Sequence, residues 1–274
     1  MTDIVFEVDG KKHELLLPEC WNEVQNVHYP HLAHLFLKEA HQMNEYDKMV
    51  RAFCLLAQSV WPAIEKLSEE QIYDLVQLTF WVFERLDLSV NKIPEFSIKG
   101  TTYYGPADRL DNLRFGEFVM AETYFIQYFN TKDPNVLNKL IAVLYRPKGK
   151  GKEYVVGSAT YRGDVRVKFN GQNVDDQAKT FELLNPVIRD AIYLFYVSAR
   201  WLLFENFPHI LPKGKNKSKG ASSKPNEPNY GWIGVFDDIC GEKGRTPEML
   251  EDEFASTILM SLERTQIKWK KNKK

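Results

Sequence analysis

Five of the six histidines fall between His13 and His41, and their spacing is the first place to look for chemistry. His31 and His34 share one face of a helix, and His41 lies two turns beyond His34. With His28 they could offer neutral imidazoles to a metal ion. Zinc also asks for a cysteine or carboxylate at a recognisable spacing. Neither HExxH nor a paired ExxH is present, and Glu39 is offset from the His31/His34 face of an ordinary helix. A metal site built from His28, His31, His34 and His41 therefore stands beside the plainer reading of surface and half-buried histidines.

Other reactive groups are scattered. Cys20, Cys54 and Cys240 are far apart, without CxxC or Cys/His zinc spacing, which points to free thiols in a reducing compartment. No GxSxG elbow offers a serine nucleophile. Gly149-Lys150-Gly151-Lys152 has a superficial likeness to a phosphate loop. It lacks the GxxxxGK[ST] spacing and no apolar strand leads into it, so it reads as a flexible basic turn. Glu248, Glu251, Asp252 and Glu253 gather where a helix begins, the place where carboxylates stabilise free amides. No cofactor and no enzymatic activity are expected.

Binding chemistry is easier to find. Lysines cluster at Lys148/Lys150/Lys152, at Lys213/Lys215/Lys217/Lys219 and at Lys268/Lys270/Lys271/Lys273/Lys274. The last group encloses Trp269, so Lys268, Trp269, Lys270 and Lys271 form a candidate for weak nucleic-acid contact, through phosphate neutralisation and base stacking. No helix-turn-helix or RNA-binding signature accompanies them, and a net charge of −1 argues neither way. Arg189, Tyr193, Tyr196 and Arg200 recur along one helical face of an otherwise apolar helix. Tyrosine and arginine are enriched at interface hot spots, so these four are a candidate partner interface; the alternative is a half-buried polar edge.

The elements that must position these groups are mostly helices. The chain has 274 residues, 44% of them hydrophobic, enough for one large or two modest domains. Asp9-Gly10 between two strand-like runs marks a hairpin around residues 4–17, and Lys99-Gly100 marks another around 95–105. Met49, Phe53, Leu56 and Val60 follow helical spacing. Ser68 to Gln71 is a capping box opening a stripe of Ile72, Leu75, Val76, Val82, Phe83 and Leu86. Phe115, Phe118, Val119, Phe125, Ile126 and Phe129 make the core stripe of a further helix. Asp133-Pro134 opens another, buried through Leu137, Leu140, Ile141 and Leu144. Arg146 to Gln172 reads as a long loop with room for a short hairpin, Asp175 to Leu184 as a helix, and Pro186 to Phe207 as a long helix, apolar on most faces. Thr246-Pro247-Glu248 begins a final helix with Leu250, Phe254, Ile258 and Leu262 inward, its basic end fraying. The expected protein is mainly α, a multi-helix globular fold with small β-hairpins. Its expected pieces are a hairpin-plus-helices unit (1–95), a central helical unit (96–211), a flexible basic linker or loop (212–229) and a C-terminal helical pair with a basic tail (230–274). The N-terminus has acids and no continuous apolar run, and the Ala191–Leu203 stretch is interrupted by Arg200, so neither a signal peptide nor a membrane span is expected.

Three segments together resemble helical proteins encoded in the tail regions of tailed phages and prophages. They are the DG hairpin followed by P-E-C-W-N-E-V (Pro18 to Val24), the central LRFGEFVMAETYF and KLIAVLYRP, and the closing Gly231-Trp232, short helix and basic-ended helix. The resemblance touches about half the chain, in pieces. It implies a tail assembly chaperone or tail-morphogenesis protein that binds other tail or virion proteins or copies of itself. Such a protein works in the host cytoplasm during assembly or stays in the virion. It implies no catalytic residues. A virion structural component (tail, neck or adaptor) and a nucleic-acid-binding accessory protein are the alternative readings.

Overall fold

A computed structural model describes residues 1–210, 231–243 and 246–272, so the expected linker at 212–229 lies outside the described residues, as do Lys273 and Lys274. In chain order the elements are β1 (Thr2–Val8), β2 (Lys11–Leu17), α1 (Tyr29–His34), α2 (Glu45–Leu56), α3 (Trp61–Ile64), α4 (Glu69–Gln77), α5 (Trp81–Glu84), β3 (Glu95–Ile98), β4 (Thr101–Tyr104), α6 (Phe115–Thr131), α7 (Pro134–Leu144), β5 (Arg146–Pro147), α8 (Val174–Phe181), α9 (Pro186–Glu205), α10 (Gly231–Lys243), α11 (Pro247–Glu251) and α12 (Ala255–Asn272). The fold is mainly α, with one two-stranded and one three-stranded antiparallel sheet. No helix among the described residues is long and apolar enough to cross a membrane. The chain divides into two compact units, Met1–Ile93 with Asn185–Ala199, and Pro94–Leu184 with Arg200–Lys274, the division falling inside α9.

In the first unit, Asp9 (φ 52°) and Gly10 (φ 72°) both turn left-handed, the geometry of a two-residue hairpin whose twist matches its strands. Val8, Leu15 and Leu17 point inward. Trp21, fully buried, meets Tyr29, Phe36 and Trp81 edge-on at centroid distances of 5.6–6.2 Å. Asn22 ties this turn to a later segment: its Oδ1 accepts from the Ser89 and Val90 amides at 2.9 and 3.0 Å, and its carbonyl accepts from Lys92 Nζ at 2.6 Å. The capping box at Ser68 and Gln71 forms. The stripe after it is not one continuous face. α4 stops at Gln77 and α5 begins at Trp81, because buried Thr79 turns its hydroxyl to the Val76 carbonyl (2.8 Å) and the Met49 carbonyl (3.1 Å). α2 likewise ends at Leu56, leaving Val60 in a separate short turn.

In the second unit, Lys99 (φ 49°) and Gly100 (φ 79°) close the β3–β4 hairpin, and β5 joins the free side of β4. Phe96, Tyr103, Tyr145 and Phe181 cluster around this small sheet. α6 ends on Lys132 in the left-handed conformation, its amide donating to the Tyr128 carbonyl at 2.8 Å. Asp133 then caps α7 and Pro134 occupies its first turn. The expected α6 core face needs correction. Phe115, Phe118 and Val119 are buried, but Ile126 is 47% and Phe129 60% exposed. Glu117 and Glu122 occupy interior positions on this helix, so its buried face runs through carboxylates that a search for apolar residues skips.

The C-terminal residues do not form a separate piece. Phe236 of α10 stacks on Phe115, and Trp232 meets Phe118 edge-on and stacks on Phe204. The expected final helix is split in two. Phe254 bridges to Arg114, with the Phe115 amide donating to the Glu253 carbonyl (2.8 Å) and the Ala255 amide to the Leu113 carbonyl (2.9 Å). Those bonds require an extended residue, so α11 stops and α12 starts beyond it. α12 then stays helical to Asn272, where fraying was expected.

The two kinds of glycine here respond oppositely to one substitution. Gly100→Ala meets no neighbouring atom but forces a side chain into φ +79°, which should lower stability by about 1 kcal/mol. Gly241→Ala, equally open but helical, should raise it by up to about 1 kcal/mol. Urea unfolding midpoints of the two variants should move to opposite sides of the parent.

Candidate functional site

The densest concentration of charge lies inside the second unit. Glu117 projects from the first turn of α6, Arg146 follows the apolar run of α7, and Asp164 and Arg166 come from the segment expected to be a loop. All four side chains are at most 4% exposed. Glu117 accepts from Nη2 of Arg146 through one oxygen and from Nη2 of Arg166, at 3.2 Å, through the other. Arg166 Nε and Nη2 both reach Asp164 Oδ2, at 3.0 and 2.7 Å, and Nη1 donates to the Leu144 carbonyl at 2.6 Å. Arg146 spends its remaining donors on the carbonyls of Val143 and Val167. Two cations and two anions thus cancel where water cannot reach them, and the forked guanidinium geometry satisfies each oxygen.

Burial pushes the Arg146 guanidinium down to about 10, with Glu117 opposing and Arg166 adding to the fall. Burial acts on Arg166 too, but Glu117 and Asp164 outweigh it and its pKa is raised. Both remain charged at neutral pH. A second layer sits beside this cluster. Arg114 lies over the Phe254 ring at 3.8 Å and donates to the backbone carbonyls of Asp252 and Arg162, while Arg162 pairs with the Asp252 carboxylate at 2.7 Å. Burial, then the nearby Arg162, holds Arg114 below its ordinary value, against the pull of Asp252.

The segment Arg146–Gln172 is therefore not simply a loop. Its two ends are pinned by buried arginines, and Lys148 and Arg166 form a β-bridge. The Gly149–Lys152 turn lies inside this pinned segment. Asp164 and Arg166 were missed because burial of a D-x-R pair leaves no periodic signal. Glu117 within FGEFV and Arg146 at the end of LIAVLYR did carry one, a charge embedded in an apolar run.

The residues singled out from sequence are dispersed. Tyr193 and Tyr196 are 8% and 0% exposed, so the Arg189/Tyr193/Tyr196/Arg200 stripe is not an open interface. α9 is apolar on most faces, and its tyrosines are buried with the rest. Arg189 is half-buried. Arg200 forms a two-point pair with buried Glu122, at 2.6 and 2.8 Å, and lies over the Phe125 and Phe204 rings. Lys268, Trp269, Lys270 and Lys271 are exposed on α12.

Among the histidines, His34 Nδ1–H donates to buried Asp190 at 2.7 Å and its Nε2 lies 3.6 Å from Glu39. Glu39 is not offset after all, because residues Leu35–Glu39 form a π-helical turn. Its wider winding brings i and i+5 together. His31 and His41 are exposed, and His28 is half-buried with its pKa lowered by burial and by His31. Among the described residues no three His, Cys, Asp or Glu side chains converge as a metal set.

Removing one member of the buried cluster leaves a guanidinium uncompensated. Glu117→Gln keeps the volume and should cost about 3–5 kcal/mol, read from urea unfolding. Asp176→Asn, whose partner Lys179 is exposed, should leave the midpoint unchanged. Equal, small effects would show that the cluster is not held as described. Comparison with protein-family models, with curated proteins and with solved structures finds no match to this chain.

Proposed function

We propose that this chain is a non-enzymatic phage tail-morphogenesis protein, similar to tail assembly chaperones, that acts in the host cytoplasm by binding other tail proteins. The observation that carries the reading is the contrast between a buried, self-neutralised charged cluster and large apolar side chains left on the surface. The cluster best equipped for chemistry is sealed and saturated by its own hydrogen bonds, whereas large apolar side chains stand outside: Val27 at 69% exposure, Met249 at 62%, Phe129 at 60% and Trp201 at 56%. Phenylalanine, tryptophan and methionine are among the residue types enriched where proteins meet.

The resemblance supports the same reading. LRFGEFVMAETYF carries Arg114 and Glu117, and KLIAVLYRP carries Arg146, so the segments behind the likeness build the clamp at the heart of the second unit. Trp21 of P-E-C-W-N-E-V is the fully buried centre of the aromatic cluster in the first. These motifs specify a scaffold.

Quantitative mass spectrometry distinguishes the possibilities. A tagged chain recovered during tail assembly should bring identified tail proteins with it, and purified particles should lack it. Stoichiometric retention in particles would instead make it a structural component of the virion. Recovery without any tail or virion protein would remove the reading.

A further inference from the structure

α12 carries its charges unequally. Its buried carboxylate, Glu263, is turned inward, accepting from the amides of His209 and Ile210 and from the His209 ring. Its cations face outward. Among the described residues, Arg264 and Lys268, one helical turn apart, are exposed and pair with no carboxylate. Beside them lies a cleft of about 360 Å³. Buried Ile239 of α10 and Ile258 of α12 line its floor with half-buried Leu262, and Arg264 and Lys268 stand on its rim. Lys270 and Lys271 extend the positive charge along the helix, while Asp237 and Asp238 are exposed on α10.

An apolar floor and a basic rim on one helix ask for one kind of occupant. We propose that this cleft is a docking groove for an amphipathic peptide segment of a partner protein. The segment's aliphatic side chains fill the floor, and its Asp or Glu carboxylates pair with Arg264 and Lys268. The volume is that of a small binding site, enough for a few aliphatic side chains but not for a folded domain. Helix-in-groove recognition uses this combination of apolar anchors and flanking charge, and a cationic rim rejects basic segments. A nucleic-acid strand is the poorer fit, since Trp269, the exposed aromatic of this helix, is not part of the lining and the floor offers no ring on which a base could stack.

The inference rests on the protein-binding reading, and its test separates the two. A surface-displayed random library of peptides about 16 residues long, some four helical turns, is selected against the full chain. Affinities of the selected peptides follow from fluorescence anisotropy. Enriched sequences should carry aliphatic residues at i and i+4 beside Asp or Glu. The double variant R264E/K268E, whose circular dichroism should match the parent, should bind them at least about tenfold more weakly. Exchanging the peptides' acids for lysine should restore binding to the variant. No enriched class, an enriched class without acids, unchanged affinity in R264E/K268E, or tighter binding of a single-stranded oligonucleotide displaced by the same charge reversal would each overturn the groove. If R264E/K268E still recovers tail proteins, the groove falls while the proposed function stands. If the parent chain recovers none, the function falls whatever the peptides do.

Discussion

Two guanidinium groups and two carboxylates cannot leave water unless they neutralise one another at hydrogen-bond distance, and the second unit is organised around meeting that condition. Desolvating each ion costs several kcal/mol even after relaxation. The cost is offset only because Glu117, Arg146, Asp164 and Arg166 arrive together from three separate stretches of chain. Arg146 reaches the cluster because α7 ends two residues earlier, at Leu144. Arg166 reaches it because the segment after β5 returns beside Lys148. Misplacing any of these stretches strands a charge, so the cluster penalises alternative packings more than it rewards the correct one.

That penalty explains why a stretch rich in glycine and lysine can be ordered. Residues between Pro147 and Lys168 bury little apolar surface, and in isolation their entropy would win. Buried arginines at both ends, together with the Arg162–Asp252 pair, hold the segment against α6 and the end of α11. The bridge between Arg114 and Phe254 draws the C-terminal helices onto the same place. One ionic core thereby gathers α6, α7, the pinned segment and the α11–α12 junction.

Saturation of this core also bears on function. Each oxygen and most nitrogens of the four side chains are committed to fixed partners, which suits scaffolding and leaves them no capacity to take up a reacting group. Elsewhere, apolar side chains are exposed, and among the described residues Arg264 and Lys268 of α12 have no carboxylate partner. A surface of that kind discriminates by shape and charge.

Local signals in the chain were sufficient for local structure. Asp9-Gly10 and Lys99-Gly100 dictate their hairpins because few residues tolerate two successive left-handed conformations. Ser68/Gln71 and Asp133-Pro134 dictate helix starts because each satisfies or dispenses with a free amide. Those decisions need only neighbours. Which face of α6 turns inward, why α4 and α5 part at Thr79, why Glu39 meets His34 and why the last helix breaks at Phe254 depended on partners distant in sequence or on a change in helical winding. The amino-acid sequence by itself determined a mainly helical chain with two tight hairpins, since turn and capping chemistry act over a few residues. Only the tertiary structure decided that Glu117, Arg146, Asp164 and Arg166 are interior, because a charge may be buried only where its counter-charge has already been brought, and that depends on the packing of the whole unit.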